Sequence, residues 1–132
     1  MQVRGKTIVV TGGGSGIGRH LVIELLRRGA FVMAADIRHE GLEETVRASG
    51  GGVRERVATR IADVTDRSAI DGLAAATIDA FGAVDGYISN AGIIQPFVKL
   101  ADLEYDAIER VIDVNLYGTI HMAKTFVPLL LE

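Results

Sequence analysis

The sequence predicts an α/β fold, a doubly wound parallel sheet with strand order 3-2-1-4. Three observations carry that prediction. Apolar runs alternate with helical patterns of roughly ten or more residues, as in βαβ units with right-handed crossovers. A glycine-rich stretch, Thr11-Gly12-Gly13-Gly14-Ser15-Gly16-Ile17-Gly18, joins the first run to the first helical pattern. An acid, Asp36, closes the second run about 20 residues on, where a ribose ligand belongs in a dinucleotide site.

The first strand is expected from Lys6 to Thr11, a nearly continuous apolar run of the kind buried on both faces of a parallel sheet. Gly16 to Arg28 comes next as a helix, with Gly29 positioned to end it as a C-cap. Phe31 to Asp36 is the second strand, and His39 to Ser49 a short polar helix whose Leu42 and Val46 lie one turn apart. Gly50-Gly51-Gly52 turns the chain back. A third strand runs to about Ile61-Ala62 and ends at Asp63-Val64. Asp66 to Phe81 is a helix, capped by Thr65 or Asp66 and ended by Gly82. Val84 to Ser89 is the fourth strand, succeeded by the loop Asn90 to Pro96. A short helix is expected near Asp102, then a long one from about Asp106 to Leu130.

The glycine stretch makes an anion site: without Cβ atoms a phosphate can approach the backbone, and the helix start offers free N–H groups and its dipole. Three spacings compete for it. G-x-G-x-x-G fails because Arg19 stands where the third glycine should be. A phosphate-binding P-loop nearly fits from Gly13 to Gly18, but has Arg19 for its lysine and His20 for its magnesium-binding hydroxyl. T-G-x-x-x-G-x-G fits without exception. A tight turn with no ligand is the remaining alternative, and Asp36 argues against it.

Composition narrows the class. In 132 residues, 48% apolar and with positive mean hydropathy, a real core can form, burying roughly two thirds of the unfolded surface. No apolar run approaches the roughly 20 residues that cross a membrane. Met1 to Gly5 reads as leading straight into the first strand rather than as a signal peptide. Net charge is −3 and the charges are dispersed, so no nucleic-acid partner is expected. With no cysteine there is no disulfide, thiolate metal site or cysteine nucleophile. His20, His39 and His121 form no ligand cluster, and no metal is assigned. A soluble cytoplasmic protein is the expectation.

Further residues then join the glycine loop and Asp36. Asp63-Val64 closes strand three, Asn90-Ala91-Gly92 closes strand four, and Asn115 stands within Val114-Asn115-Leu116-Tyr117-Gly118. In this order and at these intervals the set resembles the short-chain dehydrogenase/reductase family, over essentially the whole chain. The resemblance implies a Rossmann-like NAD-binding domain spanning residues 1–132 and lacking the family's later strands. It implies cofactor contacts from the loop residues Gly12, Gly14, Ser15, Gly16 and Ile17, with Gly18 allowing helix and strand to pack closely. Asp36 would accept hydrogen bonds from the adenosine ribose hydroxyls and repel a 2′-phosphate. Ile37 and Ser15 stand where members that use NADP often carry a base, which favours NAD, although Arg38 is close by. Asp63 and Val64 resemble the border of the adenine ring, and Asn90-Ala91-Gly92 the turn against the cofactor. Asp63 as a helix-capping acid and Asn90 as a turn former remain open alternatives.

In this family hydride transfer to or from an alcohol or ketone carbon uses a tyrosine base, with a lysine four residues later and an upstream serine. The need is physical: a phenol of pKa about 10 works as a base near neutrality only beside a cation. Tyr87, Tyr105 and Tyr117 have Ala91, Glu109 and His121 four residues on, so no Tyr-x-x-x-Lys is present. Asn115 matches the family's fourth catalytic residue in a supporting role only. Tyr117 and His121 share a helical face, but Tyr117 lies about 200° round the helix from Asn115. A packed tyrosine beside a surface histidine is the expected arrangement.

Three functions fit these residues: an NAD(H)-binding portion unable to catalyse alone, an enzyme completed by a missing or separate C-terminal half, or a structural, oligomerising fragment with relic motifs. The last helix is apolar on more than one face, through residues such as Ile108, Ile112, Ile120 and Val127. Together with an uncovered strand-four edge it predicts a homo-oligomer.

Overall fold

A computed structural model of the chain describes residues 2–131. Its first strand, β1 (Thr7–Thr11), is buried along its whole length, as its apolar run requires. It lies between β2 (Phe31–Asp36) and β4 (Gly86–Ile88), and β3 (Val57–Ile61) pairs with the far side of β2. All pairings are parallel, in the order β3-β2-β1-β4, with Thr11 opposite Ala35 and Val10 opposite Ile88. The Rossmann-like sheet of the predicted order is present.

Period-two alternation along β1 and β2 sends side chains to both faces of the sheet. On one face Ile8, Val10, Val32 and Ala34 pack against Val22 and Leu26 of α1 (Gly16–Arg27) and Leu42 of α2 (His39–Ala48). On the other, Val9, Met33 and Ala35 meet Ile70 and Leu73 of α3 (Arg67–Phe81) and Met122 and Phe126 of the last helix. Each Val, Leu, Ile, Met or Phe side chain among them contributes about 1.5–3 kcal/mol when fully buried. The helices thus cover both faces of the sheet, and the loops after its strands are left to meet at one edge of the molecule.

The helix stops obey the expected chemistry. Asp66 caps α3, its Oδ1 accepting the N–H groups of Ser68 (2.9 Å) and Ala69 (3.3 Å). Gly82 ends that helix at φ 84°, in the left-handed region.

The structure differs from expectation in five places. β4 is only three residues long because side chains take over at both its ends. Asp85 Oδ2 accepts the Thr7 N–H (2.8 Å) before it, and Thr11 Oγ1 accepts the Asn90 N–H (3.1 Å) after it. β3 ends at Ile61, short of Asp63-Val64. The Gly50–Gly52 turn extends into a 3-10 segment, Gly51–Arg56, and the short helix near Asp102 is a single 3-10 turn, Leu100–Asp102. The long helix runs from Tyr105, but as α4 (Tyr105–Ile112), a π-helical turn (Asp113–Tyr117) and α5 (Gly118–Leu130). The wider turn carries one anchor, Asn115 on the Ile93 backbone, and a second follows it, Gly118 against Val64.

Among the described residues, no helix is long and apolar enough to cross a membrane.

Candidate functional site

The loops after all four strands converge on a cleft of about 680 Å³. This is the carboxyl edge of a parallel sheet, where the chain turns to opposite faces on either side of β1 and leaves a crevice. Gly12, Ser15, Gly16, Ile17 and Gly18 line it from the β1–α1 loop, and Asp36, Ile37 and Arg38 from the end of β2. Asp63 and Val64 come after β3, while Asn90, Ala91 and Gly92 come after β4. The facing wall is α4, through Asp106, Glu109 and Arg110, continuing to Asp113 and Val114 in the π turn.

Gly12 and Gly18 are there because nothing larger fits. A Cβ on Gly18 would overlap the Gly12 carbonyl oxygen, so only glycine lets α1 start this close to β1. Gly12 itself has φ 66°, and a Cβ there would stand 2.8 Å from Asn90 Nδ2. The loop opens onto a helix start with unspent donors. The N–H groups of Gly16, Ile17 and Gly18 come before the first donor of the helix, the Arg19 N–H on the Ser15 carbonyl (3.0 Å), no acid stands in the first turn, and the Ser15 side chain makes no capping bond. Such a start suits an anion.

Asp36 is buried, yet its carboxylate is only half spent. Oδ2 accepts the Gly14 N–H (2.9 Å) and Oδ1 the Arg38 N–H (3.0 Å). A carboxylate has about four acceptor positions, so room remains for two hydroxyl donors from the cleft. Ile37 beside it is 61% exposed, an apolar side chain held against solvent.

Two predicted residues lie behind the cleft. Gly14 is buried beneath Asp36, where a Cβ would come within 2.8 Å of Oδ2, so it orients the carboxylate from below. The Asn115 side chain is turned to the loop after β4: its Oδ1 accepts the Ile93 N–H (2.9 Å) and its Nδ2 donates to the Ile93 carbonyl (2.8 Å). Asn115 therefore fastens that loop to the long helix.

The side chains of Asp63 and Asn90 both bond to backbone in the cleft wall. Asp63 caps no helix; its Oδ1 accepts both the N–H (2.9 Å) and the hydroxyl (2.8 Å) of Thr65, while Asp66 does the capping. Asn90 spans the central strands, its Nδ2 donating to the carbonyls of Thr11 (3.1 Å) and Gly12 (3.4 Å).

The expected packed tyrosine beside a surface histidine is reversed. Tyr117 is 48% exposed, and His121 is the half-buried member. His121 donates from Nδ1 to the Val64 carbonyl (2.9 Å), because a carbonyl only accepts. Neither side chain lines the cleft, and the rings lie 6.3 Å apart.

Three residues that shape the site are not evident from sequence. The buried Thr11 hydroxyl accepts the N–H groups of Asn90 (3.1 Å) and Ala91 (3.2 Å). Arg19, which in sequence is only a mismatch to two other motifs, donates to the Gly14 carbonyl (2.6 Å), to Glu44 (2.7 Å) and to the Thr45 hydroxyl (3.1 Å). Thr45 is fully buried and donates onward to the Gly13 carbonyl (2.8 Å). The threonine of the T-G motif points to the first; the other two lie too far along the chain to be paired by pattern.

Comparison with known proteins places this geometry. A family profile described as short chain dehydrogenase matches residues 6–132. The chain is 42% identical over 118 residues to a 2,5-dichloro-2,5-cyclohexadiene-1,4-diol dehydrogenase of Sphingobium indicum, covering 89% of this chain and 46% of that protein. Among solved structures, a short chain dehydrogenase/reductase from Burkholderia phymatum in complex with NAD aligns with a TM-score of 0.90 at 30% identity. That alignment covers 99% of this chain and 46% of the other. A 3-ketoacyl-(acyl-carrier-protein) reductase from Brucella melitensis complexed with NADH aligns at 0.89 with 27% identity, covering 96% and 51%. The chain thus spans about half the length of each of these proteins.

Proposed function

The chain belongs to the short-chain dehydrogenase family, and from that premise we propose that residues 1–132 form the NAD(H)-binding portion of an oxidoreductase acting between an alcohol and a carbonyl. One observation carries the proposal. A single cleft joins a helix start with unspent N–H donors to a buried carboxylate with acceptor positions left over.

The residues fit a dinucleotide. The Gly12–Gly18 loop, where glycine at position 18 lets the helix start lie against the end of β1, suits a pyrophosphate. Asp36 suits a ribose diol and opposes a 2′-phosphate, so NAD is favoured over NADP. Val64 and Ile37 offer apolar surface to a ring, and Asn90 to Gly92 would border the inner part of the cofactor. Bound there, NAD would supply the hydride acceptor or donor. This chain's own residues bind, orient and shield; the serine, tyrosine and lysine that move the substrate proton in this family are not among them. We therefore read residues 1–132 as binding the cofactor without catalysing on their own.

We propose also that the chain self-associates. Ile112, Leu116, Ile120 and Val127 are each more than a third exposed along the long helix, and among the described residues β4 pairs on one side. A monodisperse monomer at high concentration in light scattering would remove this part of the reading.

Calorimetric titration of NADH and then NADPH into the chain tests the main proposal. Saturable binding that favours NADH supports it. A folded chain that binds neither would leave only the family relationship.

A further inference from the structure

We propose that Thr45, oriented by Arg19, sets the cofactor preference of the site by holding the peptide that steers Asp36; the inference rests on the dinucleotide reading above. The Gly13 carbonyl and the Gly14 N–H belong to one peptide unit. The Thr45 hydroxyl donates to that carbonyl (2.8 Å), and the same unit's N–H donates to Asp36 Oδ2 (2.9 Å). The planar peptide relays position from one side to the other, because its two polar groups cannot rotate independently. Hydrogen bonds in such a chain also polarise one another.

Thr45 has one proton and two nearby carbonyls, Gly13 (2.8 Å) and Gly41 (3.0 Å). Arg19 Nε donates to its oxygen (3.1 Å), occupying an acceptor position and leaving the proton to the carbonyls. The guanidinium also takes the next carbonyl of the loop, Gly14 (2.6 Å), and pairs with Glu44 of α2 (2.7 Å). A fork of this shape is what arginine provides and lysine does not. Thr45 and Glu44 lie on α2, so the helix after β2 clamps the loop before α1. Neither Thr45 nor Arg19 lines the cleft. They are positioning residues.

The consequence is selectivity. A carboxylate held in one orientation accepts ribose hydroxyls and opposes a 2′-phosphate; one free to swing does both less well. Loss of the relay therefore weakens NADH and relieves the penalty on NADPH. A purely structural role would weaken both dinucleotides alike.

The test compares wild type, Thr45→Val and Thr45→Ser by titration with NADH and NADPH, alongside the Gly14 amide proton resonance without ligand. Thr45→Val is expected to lose roughly tenfold in NADH affinity, as removal of a bond in a charge-assisted chain does, and to narrow the NADH/NADPH ratio by a similar factor. Its Gly14 resonance should move upfield as the bond to the carboxylate loosens, while Thr45→Ser keeps both properties. Should Thr45→Val fail to fold, Arg19→Lys at its partly exposed position carries the test, with the same direction expected. An unchanged ratio, or an unmoved Gly14 resonance, in a folded variant overturns the inference alone. A wild-type chain that binds neither dinucleotide overturns the site reading and this inference with it.

Discussion

The Thr11 hydroxyl accepts the Asn90 N–H at 3.1 Å, across 79 residues of sequence. It also accepts the Ala91 N–H, and Asn90 returns a bond from its side chain to the Thr11 carbonyl. With the hydroxyl's own donation to the Ile88 carbonyl (3.4 Å), the end of β1 and the end of β4 are thus tied together by four hydrogen bonds at the cleft floor, where the ladder between them has stopped at Ile88.

Thr11→Val keeps the shape and removes the acceptor. Two N–H groups then lose their partner in a half-buried place, which costs about 1–3 kcal/mol of stability. Urea unfolding should show a lower midpoint with an unchanged slope, and Thr11→Ser should recover most of the loss. A Thr11→Val midpoint equal to wild type would mean water satisfies both donors.

Gly18→Ala addresses the approach of α1 to β1. The added methyl would overlap the Gly12 carbonyl and lie 2.6 Å from Asn90 Nδ2, and neither neighbour is a flexible side-chain end. The helix start must shift outward. We expect a loss of about 1–3 kcal/mol, as for overpacking elsewhere, with NADH binding lost entirely. Because the donors move together, titration heat should vanish even at temperatures where circular dichroism shows the variant folded. Retained binding would show that the cradle tolerates the shift.

The sheet and the outline of the cleft are legible in the sequence because their signals are local. β1 and β2 read as apolar runs, the glycine loop as an unbroken spacing, and Asp36 by its distance from it. The hidden features depend on pairs far apart in the chain. Thr45 sits one turn before the end of an apparently polar helix, and nothing near it says that its hydroxyl meets Gly13 across 32 residues. Arg19 stands out in sequence only for the motifs it breaks, whereas its role lies in contacts with Thr45 and Glu44. The π turn at Asp113–Tyr117 is invisible for another reason. An apolar pattern on several faces of the long helix fits more than one period, so a single widened turn leaves no mark in it.

Acid should loosen the other end of the same strand pair. Asp85 accepts bonds from Lys6 (2.9 Å) and from the Thr7 N–H (2.8 Å), and these hold its carboxyl below the ordinary value of 3.8. The unfolded chain therefore takes up this proton at higher pH than the native one. The stabilisation is complete above the ordinary value and is lost as pH falls through the lowered native value. Lys6, the larger cause, is half exposed, so salt screens its share, while the Thr7 bond persists. Asp85→Asn should lower stability by about 1 kcal/mol at pH 7 and flatten the acid limb of a stability–pH curve. Parallel curves for the two proteins below pH 4 would remove Asp85 as the source of that slope.

Asp36→Asn separates the charge of the cofactor site from its shape. The amide keeps the volume but has one acceptor oxygen, so either the Gly14 or the Arg38 N–H, each now bonded to a carboxylate oxygen, faces an NH₂ instead. That conflict costs about 1–3 kcal/mol of stability in this buried position. Its effect on binding has the opposite sign for the two cofactors. NADH loses a charged acceptor at the ribose, for which a fall of roughly ten- to a hundredfold is expected, since bonds to charged groups contribute about 1.5–3 kcal/mol. NADPH loses a repulsion instead, and Arg38, already on the cleft wall, becomes the nearest charge for a 2′-phosphate. Titration of Asp36→Asn with both dinucleotides should therefore bring their affinities together or reverse their order. Adding Arg38→Ala should then weaken NADPH while leaving NADH unchanged. If Asp36→Asn weakens both equally, the carboxylate serves the loop and not the ribose, and the preference for NAD must come from elsewhere in the cleft.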